Sequence, residues 1–176
     1  MTATSNDIIA AAKTDDVAAL RAVAAHNACA LHGGPDLDEL TPLHYAAAAG
    51  ALNAVRFLAS DAIGADINAV RGNNFTPLHG AAMNGRTEIC IFLLEQGANP
   101  NIQTDPQGYV PLHSAAWAGH TGAVAALLHA GARTDLLNYR QETPAQTARR
   151  QNHPEVAARI EAATRANGKE SSVLPS

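Results

Sequence analysis

Apolar residues along this chain alternate between two kinds of short helical segment. One kind is a plain amphipathic stretch. In ALNAVRFLAS, RTEICIFLLEQ and HTGAVAALLHA the apolar positions are Val55, Phe57 and Leu58, then Ile89, Leu93 and Leu94, then Val124, Leu127 and Leu128, at the spacing of a helix with one buried face. The other kind precedes each of these: TPLHYAAAAG at 41, TPLHGAAMNG at 76 and VPLHSAAWAG at 110. There the Thr hydroxyl is suited to cap the helix, Pro occupies the first helical position, and Leu and two Ala face inward. Gly50, Gly85 and Gly119 are expected to end these helices in the left-handed conformation. Polar, Gly-containing loops follow: IGADINA, QGANPNI and AGARTDL.

The interval is nearly constant. Thr41 to Thr76 is 35 residues, Thr76 to Val110 is 34, and Val110 to Thr143 is 33. A period in this range predicts stacked helix pairs, none of which buries its apolar face alone. The string Thr-Pro-Leu-His, Ala-Ala, Gly, second helix, Gly-Ala-Asp/Asn resembles the ankyrin repeat across residues 6 to 163. That resemblance implies an all-α solenoid of about five helix-pair repeats, with β-hairpin-like loops projecting at about a right angle. The expected divisions are one domain over 1–167 with a capping unit at 6–40, internal repeats at 41–75, 76–109 and 110–142, and a second cap at 143–167. A disordered tail is expected over 168–176. The first unit lacks TPLH and carries Asp7, Lys13, Asp15, Asp16 and Arg21, as a solvated terminal face requires. Val110 replaces the capping Thr, and Asn74 and Gln141 stand where the repeat ordinarily has Gly, so the last loop is expected to be distorted. HGGPDLDEL matches no finger well.

Composition narrows the functional classes. Hydrophobic residues make up 47% of the 176 and charged residues 16%, a globular balance. The net charge of −4 argues against a nucleic-acid partner. No stretch approaches the ~18 apolar residues of a membrane helix, and the N-terminus has no secretory pattern. A cytoplasmic protein is expected, and the preference for arginine over lysine suggests a bacterial source. Cys29 and Cys90 lie two units apart, beyond disulfide reach.

The eight histidines raise the question of a metal or a general base. His44, His79 and His113 recur at the same repeat position, so they are expected to tie loops to helices, one packing layer apart and too distant to share a zinc ion. His120 and His153 open second helices. Asp36, Asp38 and Glu39, and Asp61 with Asp66, lack calcium-loop spacing. The tripeptide Asn74-Phe75-Thr76 matches the glycosylation pattern, but Thr76 is accounted for as a cap. HExxH, CxxC, GxSxG, P-loop and GxGxxG are absent. The expectation is a non-enzymatic protein with no catalytic residue, cofactor or metal.

Positions that change between repeats are not dictated by the scaffold. Before each TPLH stand Leu40, Phe75, Tyr109 and Glu142; after each Ala-Ala stand Ala48, Met83 and Trp117, with Arg150 in the cap. The resemblance places both rows on the concave side and adds the loop tips Val70, Gly72, Asn73, Pro106, Gln107, Tyr139 and Arg140. A partner protein is expected on this face, since Trp and Tyr are favoured interface anchors and Met is adaptable. The chain is expected to act as a dedicated inhibitor or adaptor and to be monomeric when unbound. The alternatives are a small-molecule or peptide binder and self-association through the same face. Charge is uneven: residues 1–132 hold 11 acidic and 5 basic residues, net −6, and residues 133–176 hold 5 and 7, net +2. This would suit a bipolar partner, with a basic end against Asp36, Asp38 and Asp66 and an acidic end against Arg140 and Arg150.

Overall fold

A computed structural model describes residues 4–32 and 40–170, and the side chains among them up to Ala166. Among the described residues ten α-helices alternate in two rows. The inner row is α1 (Ser5–Lys13), α3 (Pro42–Ala49), α5 (Pro77–Met83), α7 (Pro111–Ala118) and α9 (Pro144–Arg150). The outer row is α2 (Val17–Asn27), α4 (Leu52–Leu58), α6 (Thr87–Glu95), α8 (Thr121–His129) and α10 (Pro154–Glu170), and a short 3₁₀ turn at Ala28–His32 follows α2. Each inner helix packs on the next, and the outer row stacks likewise. Leu43, Leu78 and Leu112 are buried between inner helices beside Ala46, Ala47, Ala81, Ala82, Ala115 and Ala116. The paired alanines let the helices approach, and Val55, Leu58, Ile89, Leu93, Val124 and Leu127 close the core from the outer row.

The expected caps form at Thr76 and Thr143, whose hydroxyls accept from the N–H of His79 and Gln146. Val110 has no such acceptor, so α7 keeps only the bond from the Val110 N–H to His113 Nδ1 (3.3 Å). Gly50 and Gly119 end α3 and α7 with positive φ, whereas α5 ends one residue earlier, at Asn84.

Asn74 and Gln141 both adopt left-handed backbone, at φ 57° and 58°. Arg71 and Phe75 exchange two backbone hydrogen bonds as an isolated antiparallel bridge. The finger at Asn138–Glu142, expected to be distorted, keeps one of the two corresponding bonds. The other is replaced by the Asn138 side chain, whose Oδ1 accepts from the Glu142 N–H (3.1 Å). Finger tips also join each other: the Asp105 N–H donates to the Asn73 carbonyl and the Tyr139 N–H to the Gln107 carbonyl, each at 2.9 Å.

Two expectations about the ends require revision. Asp15, assigned to a solvated face, turns towards the next repeat and accepts from the Ala54 N–H (2.6 Å) and Asn53 Nδ2 (2.7 Å). It thereby satisfies a free N–H in the first turn of α4. The last helix runs through Gly168 to Glu170, into the segment expected as a tail; one glycine costs a helix about 1 kcal/mol and does not end it. Asp36, Asp38, Glu39, most of HGGPDLDEL and residues 171–176 lie outside the described residues.

A candidate interaction groove

The TPLH histidines shape the wall behind the groove. His44 Nδ1 accepts from the Thr41 N–H (3.3 Å) and hydroxyl (2.8 Å), and its Nε2–H donates to the Phe75 carbonyl (3.0 Å). His79 repeats the arrangement with Thr76 and the Tyr109 carbonyl (3.0 Å), and His113 reaches the Glu142 carbonyl (3.0 Å). With Nδ1 facing donors there is no room for a second proton. Burial, the largest cause, holds His44 and His79 down to about 4, and it also lowers His113. Each ring therefore fixes the residue before the next helix, which is Phe75, Tyr109 or Glu142.

Phe75 and Tyr109, with Met83 and Trp117 from the row after Ala-Ala, converge on one hollow of about 510 Å³, which Glu142, Ala48 and Arg150 do not line. Phe75 and Tyr109 line it from the finger bases, Leu40 from just before α3, Met83 and Trp117 from α5 and α7, and Asn73 and Gln107 from the tips. Phe75 and Tyr109 are half-buried and stiffen the stack: Phe75 lies 5.3 Å from the His79 ring, and Tyr109 meets His113 edge-on at 5.5 Å. Burial raises the Tyr109 phenol above its ordinary value, so it stays a donor at neutral pH. Met83 and Trp117 remain open, at 41% and 47% exposure. With the Gln151 amide oriented to satisfy both neighbours, its Oε1 accepts from Trp117 Nε1 (2.5 Å) and Arg150 Nη1 (3.1 Å), which sets the indole's direction.

Val70, Tyr139, Arg140 and Arg150 lie beside the hollow and do not line it. Val70 and Tyr139 are exposed, at 41% and 54%. Arg140 lies over the Tyr139 ring and donates from Nε to its hydroxyl (2.6 Å). Arg150 pairs with Glu142 (2.9 Å), so the expected acidic partner end would meet cations that already have partners. Gly72, named among the loop tips, also lines the hollow, and Arg71, Thr104 and Ser114 line it although the candidate set omits them. Ser114 was legible in principle. The same repeat position reads Tyr45, Gly80 and Ser114, and the small pair leaves space: a Cβ on Gly80 would lie 3.5 Å from the Phe75 ring. Arg71 gave no signal, because repeat spacing does not show which way a loop side chain folds.

Among the described residues no three His, Cys, Asp or Glu side chains group as metal ligands. Burial pushes the Cys90 thiol up to about 12, so it is inert, and Cys29 is exposed. No helix among the described residues is long and apolar enough to cross a membrane.

Comparison with known proteins bears on the same segments. The sequence pattern of ankyrin repeats (3 copies) matches residues 6–71 and 62–138. The chain is 40% identical over 79 residues to palmitoyltransferase AKR1 of Lachancea kluyveri, covering 44% of this chain and 10% of that protein. It is 34% identical over 102 residues to rat diacylglycerol kinase zeta, covering 58% and 11%. It is also 38% identical over 93 residues to a probable E3 ubiquitin-protein ligase, XBOS31, of Oryza sativa subsp. japonica, covering 53% and 20%. The match thus spans between 10% and 20% of these relatives' own length, and all three are eukaryotic.

Proposed function

The chain belongs to the ankyrin-repeat family, and we propose that it binds one partner protein through the hollow on its concave face. Ankyrin repeats are a protein-interaction module and are in general non-catalytic. The finer reading concerns where and how. Exposure of Trp117 and Met83 on packed helices is the observation that carries it. An indole left 47% exposed contributes little to folding, whereas it supplies much contact area at low entropy cost when a partner covers it. Phe75 and Tyr109, held by the histidine rings, form a preorganised floor. Val70, Asn73, Gln107, Tyr139, Arg140 and Arg150 surround it as a polar and aromatic rim. A rigid face of this kind fits a dedicated inhibitor or adaptor working from the cytoplasm, monomeric until bound.

The test is a pull-down from native lysate with wild type beside a Tyr109→Ala, Trp117→Ala double variant of matched melting temperature. A protein captured by wild type and lost by the variant supports this face; a protein captured equally by both moves binding elsewhere. The hollow's volume also lies within the range of small-molecule sites. Stabilisation by several degrees with a single metabolite would favour that second reading.

A further inference from the structure

We propose that the groove selects a partner segment in which one aspartate or glutamate stands within a few residues of a large apolar side chain. The carboxylate docks on Arg71, and the apolar side chain docks on Met83 and Trp117. This inference rests on the reading of the hollow as the binding face.

Arg71 sits at the lip of the groove, half-buried. Its Nη1 donates to the Val70 carbonyl (2.9 Å), and its Nε–H is buried with no acceptor among the described residues. It forms no ion pair among the described residues. The neighbouring cations differ, since Arg140 is engaged with Tyr139 and Arg150 with Glu142. Among the described residues no carboxylate lines the groove: its other polar groups are the side chains of Asn73, Thr104, Gln107 and Ser114, the Tyr109 phenol and the Trp117 indole N–H. A guanidinium at the edge of an apolar hollow, with no carboxylate partner among the described residues, is a charge whose complement a partner can supply. A carboxylate satisfies it better than a carbonyl does, because two oxygens meet the guanidinium fork and both partners are charged.

The layout favours a side-chain carboxylate over a chain end. Arg71 and Gly72 belong to one finger, Thr104 and Gln107 to the next, and Trp117 lies on α7 beyond them. A segment laid across the fingers passes Arg71 and continues to the indole. One carboxylate is specified, not an acidic run, because residues 1–132 carry a net charge of −6 (11 acidic, 5 basic) that repels a strongly acidic chain.

The test uses the full chain and a displayed library of random 12-residue peptides flanked on both sides by fixed Gly-Ser. Enriched peptides, synthesised with amidated C-termini, are titrated against wild type, Arg71→Gln, Arg71→Glu and Trp117→Ala by fluorescence polarisation. Wild type should enrich Asp or Glu at a fixed short distance from Phe, Leu or Met. Arg71→Gln should weaken those peptides about tenfold or more. Selection repeated on Arg71→Glu should exchange the acid for Lys or Arg. The backbone of Arg71, not its side chain, makes the bridge to Phe75, so these variants keep the finger. Should one fail to melt like wild type, Arg71→Lys replaces it, with a smaller loss expected as charge remains without the fork. Peptides that depend on Trp117 yet show no acid preference and ignore Arg71 overturn the inference and leave the groove reading standing. Peptides indifferent to Trp117→Ala, or no enrichment at all, overturn both.

Discussion

At the scale of single residues, exposure and burial separate binding from stability. Trp117 projects from an alanine-lined helix whose packing is complete beneath it. Trp117→Ala should therefore change unfolding free energy by only about 0.5 kcal/mol in a urea titration, while reducing capture of the partner. Val110 is the opposite case. It is fully buried where Thr41 and Thr76 are also buried, and in those repeats the hydroxyl meets the His Nδ1 at 2.8 Å. Val110→Thr gives the new hydroxyl a ready partner in His113 and restores an acceptor for the first turn of α7. It should raise stability by roughly 0.5–1 kcal/mol, read as a higher melting temperature. A fall would mean that the loop before α7, one residue longer than its counterparts, holds position 110 in a different register.

Elements are locked to each other by rings lying on glycines. The His120 ring covers Gly85 and its Nε2 donates to the Met83 carbonyl (3.1 Å), so α8 grips the end of α5. A Cβ on Gly85 would lie 2.6 Å from His120 Nδ1, and the backbone there has φ +65°. Gly97 has φ +86° with nothing within 4 Å, so it supplies the control. Gly97→Ala should cost about 1 kcal/mol, for the left-handed backbone alone. Gly85→Ala should cost about 1 kcal/mol more, as His120 is displaced and its bond lost. Equal costs in paired denaturant titrations would show that this ring contact does not couple the repeats.

Across the whole molecule, the buried histidines link the stack to pH. His44 and His79 titrate near 6.5 when unfolded and at about 4 when folded, and His113 is shifted in the same direction. Between those values the unfolded chain binds more protons, so stability is full above about pH 6.5 and falls as pH drops towards 4. The His44 and His79 shifts together correspond to several kcal/mol, as an order of magnitude. Urea midpoints measured from pH 7 to 4.5 should decline steadily and cooperatively. His79→Gln is the discriminating variant, because Gln146 already occupies this position in the last repeat and accepts from the Thr143 N–H (2.7 Å). It should be less stable than wild type at pH 7, by about 1–3 kcal/mol for the lost reach to the Tyr109 carbonyl, and should decline less steeply in acid.

Periodicity and local chemistry were readable from the residues alone. The Thr-Pro starts, the paired alanines, the outer-row apolar spacing and the glycine stops are short-range features, so repeat count, helix order and the buried leucines followed from them. The same register exposed much of the groove: Phe75, Met83, Tyr109 and Trp117 are set apart by what neighbouring repeats hold at their positions. Which charges are engaged became visible in the folded chain. Asp15 looked solvated but caps the helix of the following repeat, 39 residues away, and Arg150 looked available but pairs with Glu142. Arg71, invisible in the repeat pattern, folds to the lip of the groove and forms no ion pair among the described residues. Side-chain direction in loops and partners in adjacent repeats are set by packing between units distant in sequence, and a one-dimensional pattern carries no record of it.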